Sequence, residues 1–152
     1  MGGTALKLLL DTHIWIWSLQ DPARLANNVA AALTSGDNEL WLSPISVWEL
    51  LLLAERKRVE IKAPLTAAGW VEEAFVRVPL KEANLNRQVC IMSRQIAVQH
   101  EDPADRFLAA TAAIYDLTLV TSDERLLRGK GFRTLDNRQP ATSNQQPKTR
   151  LP

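Results

Sequence analysis

Four acidic residues fall where predicted strands and helices meet, and carboxylates gathered in this way can perform metal chemistry. They are Asp11, Glu49, Asp105 and Asp123. Asp11 and Asp123 each end a predicted strand, whereas Glu49 and Asp105 lie in the first turns of predicted helices. Because ligands of open α/β sheets bind outside the carboxyl ends of the strands, we expect the four side chains at one edge of the sheet.

Asp105 also shares a helix face with apolar residues. The residues three, four and seven positions further on are Leu108, Ala109 and Ala112, which lie on the same side of an α-helix as Asp105. Glu49 is flanked by apolar residues in a similar way. Both carboxylates are therefore predicted to point inward, where each needs a partner.

Gathering these carboxylates without a cation is costly. Two like charges about 4 Å apart repel by roughly 4 kcal/mol at an effective dielectric constant near 20. A bound divalent cation reverses the sign of this interaction. Oxygen ligands suit Mg²⁺ or Mn²⁺, and the sequence has no His and Cys set with the spacing typical of zinc. Such sites commonly hydrolyse phosphodiesters through a metal-bound water, without a Ser, Cys or His nucleophile.

Helix capping is the competing interpretation of the same acids. Asp11 and Asp123 could cap the helices that follow them, and Ser46 to Glu49 fits the S-x-x-E capping box. Asp102 precedes Pro103 and is predicted to be mainly the N-cap of the next helix. At each site taken alone, capping and metal binding remain open.

The composition indicates a soluble globular protein. The 152 residues suit one domain, and the single cysteine, Cys90, excludes an intramolecular disulfide and fits a reducing cytoplasm. The apolar run after Lys7 is too short for a signal peptide, so we expect no membrane association. Outside the four acids, the sequence has 18 Lys and Arg residues and 13 other acidic residues. This excess of positive charge favours a mildly basic surface around an acidic pocket and a polyanionic substrate.

Alternating strands and helices are predicted to position the acids. The predicted strands are ALKLLLD, ELWLS, VRVPL, LTLVTSD and FRTLD. The predicted helices are THIWIWSLQ, a segment from Asp21-Pro22 through ARLANNVAAALTS, ISVWELLLLAERKR with Ser43 as N-cap and Pro44 in the first turn, LTAAGWVEEAF, KEANLNRQVCIMSRQIA, the segment from Pro103, and ERLLRG. This alternation predicts a three-layer α/β/α sandwich with a mostly parallel central sheet. We assign residues 5–136 to this domain and residues 137–152, which lack apolar periodicity, to a disordered tail.

Four segments together resemble a known family. LLLDTHIWIW, LSPISVWEL, HEDPADRFLAATA and LVTSDERL, in that order between Leu8 and Leu126, resemble the PIN domain and particularly the VapC-type ribonuclease toxins of bacterial toxin–antitoxin pairs. The resemblance covers nearly the whole chain before the tail. It implies that Asp11, Glu49, Asp105 and Asp123 are the catalytic, metal-binding acids, with Asp102, mainly a helix cap, as a candidate fifth ligand.

The resemblance also implies a function. The family cleaves RNA with Mg²⁺ or Mn²⁺, usually forms homodimers, and is inhibited by a small antitoxin protein. In this sequence Thr12, Ser46 and Thr121 are candidates for hydroxyls that orient the carboxylates or water, or else for caps and turn residues. Arg106 and Arg125 each follow an acid of the site and are candidates for phosphate contacts or for ion pairs within the protein.

Aromatic and histidine residues near the acids are open to two interpretations. Trp15, Trp17 and Trp48 could stack on unpaired bases, although core packing or a protein interface is the more frequent role. His13 and His100 are better explained as loop contacts or caps than as general bases, since a metal-bound water needs no histidine.

Three hypotheses about function follow. The first is a metal-dependent endoribonuclease that acts as a toxin with an antitoxin partner. The second is a PIN nuclease that works in RNA processing or on DNA without an antitoxin, and the third is a noncatalytic binding module. The intact set of four acids argues against the third hypothesis, and a small upstream reading frame for an antitoxin would favour the first over the second.

Overall fold

The computed structural model describes residues 5–99 and 101–138 and contains one five-stranded sheet. The strands are β1 (Lys7–Leu10), β2 (Glu39–Leu42), β3 (Lys81–Glu82), β4 (Thr118–Thr121) and β5 (Arg133–Asp136). Their order across the sheet is β3-β2-β1-β4-β5, and every neighbouring pair is parallel. All carboxyl ends therefore open onto the same edge, with β1 in the centre.

Among the described residues, seven α-helices cover the two faces of the sheet. They are α1 (Thr12–Gln20), α2 (Asn27–Thr34), α3 (Pro44–Glu55), α4 (Ala67–Arg77), α5 (Arg87–Ser93), α6 (Pro103–Tyr115) and α7 (Glu124–Leu127). Apolar side chains of α1, α2, α4 and most of α3 pack on one face, and those of α5, α6 and α7 pack on the other. The predicted three-layer α/β/α fold is confirmed.

Strand β1 shows why the sheet is buried on both faces. Leu8 and Leu10 contribute to one apolar cluster and Leu9 to the other, as the alternation of side chains along a strand requires. All three leucines are fully or almost fully buried, and each such side chain stabilises the fold by about 2 kcal/mol. A continuous apolar run is typical of a central parallel strand.

The long helix predicted from Asp21-Pro22 is broken. A short 3₁₀ helix spans Pro22–Arg24, and Leu25 and Ala26 are extended before α2 begins at Asn27. Both extended residues are buried in the core. The prediction of one continuous helix was wrong because tertiary burial of this pair outweighs the local helical pattern.

The third strand and the helix after it also differ from expectation. VRVPL was predicted as a strand, but α4 continues to Arg77 and β3 comprises only Lys81–Glu82. Pro79 within that segment has no N–H for a strand ladder. The following helix is shorter than predicted because the Asn86 side chain accepts a hydrogen bond from the Val89 N–H and caps α5 at Arg87.

Asn137 belongs to the folded domain rather than to the tail in which we had placed it. Its side chain is 3% exposed. Its Oδ1 accepts from the Ala26 N–H at 2.8 Å, while its Nδ2 donates to the Arg24 carbonyl and to Ser122 Oγ. These bonds fasten the extended Leu25–Ala26 pair, so the ordered domain reaches beyond residue 136. Residues 139–152 of the predicted tail lie outside the described residues.

Within residues 5–99 and 101–138, no helix is long and apolar enough to cross a membrane.

We expect Asn137→Ala to lower the free energy of unfolding by about 2 kcal/mol, because it leaves the buried Ala26 N–H without its acceptor. Urea denaturation measures this loss. The neighbouring Arg138→Ala is the control, since the Arg138 side chain forms an exposed ion pair with Asp136 and its loss costs less than about 1 kcal/mol. Equal effects of the two substitutions would contradict the role assigned to Asn137.

Candidate active site

An open pocket of about 380 Å³ lies at the carboxyl edge of the sheet. Its walls are formed by Asp11, His13, Ile14, Trp17, Glu49, Asp102, Asp105, Ser122 and Asp123. All four predicted catalytic acids, and the fifth acid Asp102, thus line one cavity. We call it the acid pocket.

Asp11 lies where β1 passes into α1. Its backbone N–H donates to the Val120 carbonyl at 3.0 Å and so prolongs the pairing of β1 with β4. Its Oδ1 accepts from the Thr12 N–H at 2.7 Å, and its Oδ2 accepts from Thr121 Oγ1 at 2.6 Å. Asp11 therefore caps α1 and lines the acid pocket at the same time, so the capping and site interpretations are compatible.

Glu49 reaches the pocket from the second turn of α3, not from the predicted first turn, because α3 begins at Pro44. Its Oε1 accepts from Thr12 Oγ1 at 2.5 Å, and Thr12 Oγ1 is also 2.9 Å from Ser46 Oγ. The Ser46 capping-box interpretation was wrong, since Ser43 caps α3 through the Ile45 N–H. Buried Ser46 instead lies within the helix and supports Thr12.

Asp102 and Asp123 are helix caps that also face the pocket. Asp102 accepts from the Ala104 N–H at 3.0 Å at the start of α6, as predicted for an N-cap. Asp123 accepts from the Arg125 N–H at 2.8 Å at the start of α7. Its own N–H donates to Thr121 Oγ1 at 3.0 Å. Thr121 thus connects Asp11 and Asp123 through a single hydroxyl.

Asp105 is a strongly perturbed carboxyl group of the pocket. It lies in the first turn of α6 and is only 8% exposed. Burial, together with the charges of Asp11, Asp102, Asp123 and Glu49, raises its pKa from 3.8 to about 8. Burial is also the main reason that the pKa values of Asp11 and Glu49 are raised. The pocket therefore concentrates more negative charge than it can hold unaided.

The donor atoms of the pocket suit a hard divalent cation. In the part of the chain that the structure describes, no group of three or more His, Cys, Asp or Glu side chains is positioned to hold a metal ion. The chemistry of the donor set nevertheless fits Mg²⁺ or Mn²⁺, because it consists of carboxylate oxygens whose mutual repulsion a cation would relieve. Asp11, Glu49, Asp105 and Asp123, with Asp102 beside them, are the residues that could hold such an ion.

Arg106 has a structural contact that the sequence did not suggest. Its guanidinium donates to the carbonyls of Ser93, Ile96 and Val98 at 2.8, 3.1 and 2.7 Å. These bonds tie the segment after α5 to the start of α6. Of the two predicted phosphate contacts, Arg106 is therefore occupied largely by backbone, whereas the side chain of Arg125 is exposed on α7.

The three tryptophans near the acids in sequence lie in different environments. Trp15 is buried against the rings of Trp70 and Phe75, as core packing predicts. Trp17 lines the acid pocket, and the Arg24 guanidinium lies 4.5 Å from its ring centroid. Trp48 is 54% exposed on α3.

His13 is exposed at the acid pocket, whereas His100 lies outside the described residues. The sequence analysis missed Ser122, which lines the pocket and accepts a hydrogen bond from Asn137 Nδ2. Its position between Thr121 and Asp123 in the TSD segment was the available signal.

The chain belongs to the PIN domain family, whose model matches residues 8–131. It is 32% identical over 120 residues to Ribonuclease VapC22 of Mycobacterium tuberculosis (strain ATCC 25618 / H37Rv), a match that covers 78% of this chain and 88% of that protein. The resemblance to VapC-type proteins found in the sequence is confirmed.

Solved structures show the same fold. DNA-bound VapBC from Salmonella typhimurium superposes with a TM-score of 0.64 at 23% identity, covering 86% of this chain and 98% of that chain. A toxin–antitoxin complex from Klebsiella pneumoniae gives a TM-score of 0.60 at 17% identity, with 88% and 99% covered.

Without metal, we expect Asp105→Asn to stabilise the protein increasingly as pH rises. The raised pKa means that the folded protein binds this proton more tightly than the unfolded chain, so the wild type loses about 1.4 kcal/mol per pH unit between the two pKa values. The loss runs from pH 3.8 to about 8, and the asparagine variant avoids it. Urea denaturation in EDTA at several pH values measures the difference, with the exposed Asp37→Asn as control. A constant difference from the wild type across this range would contradict the raised pKa.

We expect Arg106→Ala to cost about 3 kcal/mol of stability, because it leaves three carbonyl acceptors without their charged donor. Chemical denaturation measures the loss, and hydrogen exchange of the amides from Ser93 to Gln99 should accelerate selectively. Arg94→Ala, at an exposed position in the same segment, should change stability by no more than about 0.5 kcal/mol. Unchanged amide protection in Arg106→Ala would exclude the proposed fastening.

Proposed function

We propose that this protein is a Mg²⁺-dependent endoribonuclease that acts as the toxin of a toxin–antitoxin pair. The observation that carries the proposal is the acid pocket, in which five carboxylates meet at the carboxyl edge of a PIN-domain sheet. The relative named Ribonuclease VapC22 supports RNA as the substrate. Mn²⁺ is a chemically suitable substitute for Mg²⁺.

The metal would be held by Asp11, Glu49, Asp105 and Asp123, with Asp102 as an additional ligand. When bound, Mg²⁺ supplies a water of lowered pKa and neutralises charge on the phosphate and leaving oxygen. The hydroxyls of Thr12 and Thr121 donate to Glu49 and Asp11. These bonds lower the pKa of both carboxyls against the effect of burial, so the hydroxyls orient the ligands and favour their charged form.

Asp105 has a separate task in this proposal. With a pKa of about 8, its carboxyl group holds a proton at neutral pH as long as the pocket has no cation. Its position on the rigid first turn of α6, between the cap Asp102 and the buried Leu108, fixes the carboxyl group toward the pocket. The helix therefore presents this ligand without a flexible loop.

An antitoxin protein is the proposed partner. The structural neighbours from Salmonella typhimurium and Klebsiella pneumoniae were solved as VapBC and as a toxin–antitoxin complex, which supports a partner of the same kind here. We also propose a homodimer in the cytoplasm, and the exposed side chains of Trp48 on α3 and Ile91 on α5 are suitable apolar contacts for it. A PIN nuclease without an antitoxin is the alternative, which a small antitoxin gene upstream would exclude.

We expect the purified protein to cleave RNA with Mg²⁺ or Mn²⁺, and to lose at least about 100-fold in rate as Asp11→Asn or Asp105→Asn, because each variant lacks a charged metal ligand. A fluorogenic RNA assay with and without EDTA measures this. The matched control is Glu101→Gln, which neutralises an exposed acid beside the site and should keep wild-type activity. Full cleavage in EDTA, or by both aspartate variants, would refute the proposal.

A further inference from the structure

A second pocket, of about 480 Å³, carries the opposite charge from the acid pocket. Its walls are formed by Ile96, Ala97, Val98, Gln99, Arg106, Arg125, Arg128 and Lys130. Four of these residues are cationic, and none of the described residues that line it is acidic. We call it the basic pocket.

Two helices contribute to both pockets. The first turn of α6 presents Asp105 to the acid pocket and the next residue, Arg106, to the basic pocket. Helix α7 follows the same arrangement, since its cap Asp123 lines the acid pocket and Arg125 lines the basic pocket. Successive side chains of a helix point about 100° apart. The starts of α6 and α7 therefore direct acidic side chains to the acid pocket and basic side chains to the basic pocket. The two pockets are therefore neighbours, and a strand bound in one can continue into the other.

The floor of the basic pocket is built by backbone contacts. Arg106 binds the carbonyls of Ser93, Ile96 and Val98, and the Lys130 N–H donates to the Ala97 carbonyl at 3.0 Å. A Cβ atom at Gly129 would come within 2.8 Å of the Phe132 ring. Glycine therefore permits the close turn that places Lys130 beside residues 96–98.

Exposed cations form the rim of this pocket. Arg128 makes an ion pair with Glu124 at 2.7 Å, in which both side chains are largely exposed. Such a pair contributes only about 0–1 kcal/mol, so Arg128 can exchange this carboxylate for a phosphate. Lys130 is exposed beside it. Arginine and lysine in this setting are typical phosphate ligands.

We propose that the basic pocket binds a backbone phosphate of the RNA strand on one side of the bond that is cleaved. This inference rests on the proposed function. A nucleic acid strand carries repeated phosphates and can place one in each pocket, with a cation in the acid pocket and Arg128 and Lys130 in the basic pocket. An acidic peptide has no comparable reason to span both, because the five carboxylates of the acid pocket repel its side chains.

The test variant is Arg128→Gln/Lys130→Gln, and the matched control is Lys81→Gln/Arg133→Gln. Both double variants remove two positive charges. The control pair lies outside both pockets, and its two members form exposed ion pairs with Glu39 and Asp116, as Arg128 does with Glu124. The control therefore reproduces the change in net charge, and it removes two surface ion pairs where the test variant removes the Arg128–Glu124 pair.

Cleavage kinetics should separate the two variants. With an RNA of about 12 nucleotides, a length typical of single-strand binding sites, we expect KM to rise at least about 10-fold in the test variant, with a much smaller change in kcat. With a dinucleoside monophosphate the increase in KM should be smaller, because this substrate has no phosphate beyond the one at the bond that is cleaved. The control variant should match the wild type with both substrates. Equal increases in KM for test and control would overturn the proposal.

Binding in EDTA distinguishes failure of this inference from failure of the proposed function. Fluorescence anisotropy with the same labelled RNA should show weaker binding by the test variant and a salt slope reduced by about 0.7 for each lost phosphate contact. If this result is obtained and the wild type does not cleave RNA, the proposed nuclease function is refuted and the phosphate subsite is retained. An unchanged salt slope, or no RNA binding by the wild type, would overturn the subsite. If the test variant binds polyglutamate more weakly than the wild type but binds RNA equally well, the pocket is assigned to an acidic protein partner instead.

Discussion

Electrostatic repulsion among the carboxylates at the sheet edge is the constraint on which the rest of the site depends. A parallel sheet brings its strand ends together, and this chain places acids at or beside those ends. Hydroxyl donors offset part of the cost, since Thr12 binds Glu49 and Thr121 binds Asp11. Helix N-termini offset another part, because their partial positive charge favours the capping carboxylates. For Asp105, burial and the charges of the neighbouring carboxylates together raise the pKa to about 8.

Helix capping and the lining of the acid pocket use the same side chains in this protein. Asp11, Asp102 and Asp123 each accept a backbone N–H at a helix start and also line the acid pocket. A carboxylate has two oxygens with several lone pairs, so one oxygen can cap while the other faces the pocket. The fold thereby gains fixed carboxylates without additional loops. This double use also explains why capping and metal binding could not be separated from the sequence.

The elements of the structure that could be predicted are those that local sequence patterns determine. Strand β1, the N-caps Ser43 and Asp102, and the acids at strand ends are all encoded within a few residues. The features that were missed depend on distant contacts. Leu25 and Ala26 are extended because of burial and because Asn137, 111 residues from Ala26, binds the Ala26 N–H. The backbone contacts of Arg106 likewise follow from how the segment after α5 folds back on α6, which no local pattern records.

The position of Asn137 in the chain has a consequence for biosynthesis. Its side chain binds Ser122, which lines the acid pocket, and also holds the segment before α2. A polypeptide emerges from the ribosome from its N-terminus onward, so these contacts form only after almost all of the domain has been made. A truncated translation product that ends before β5 would contain every acid of the pocket and still lack the residue that joins its wall to the segment before α2. Completion of the site is thus tied to completion of the domain.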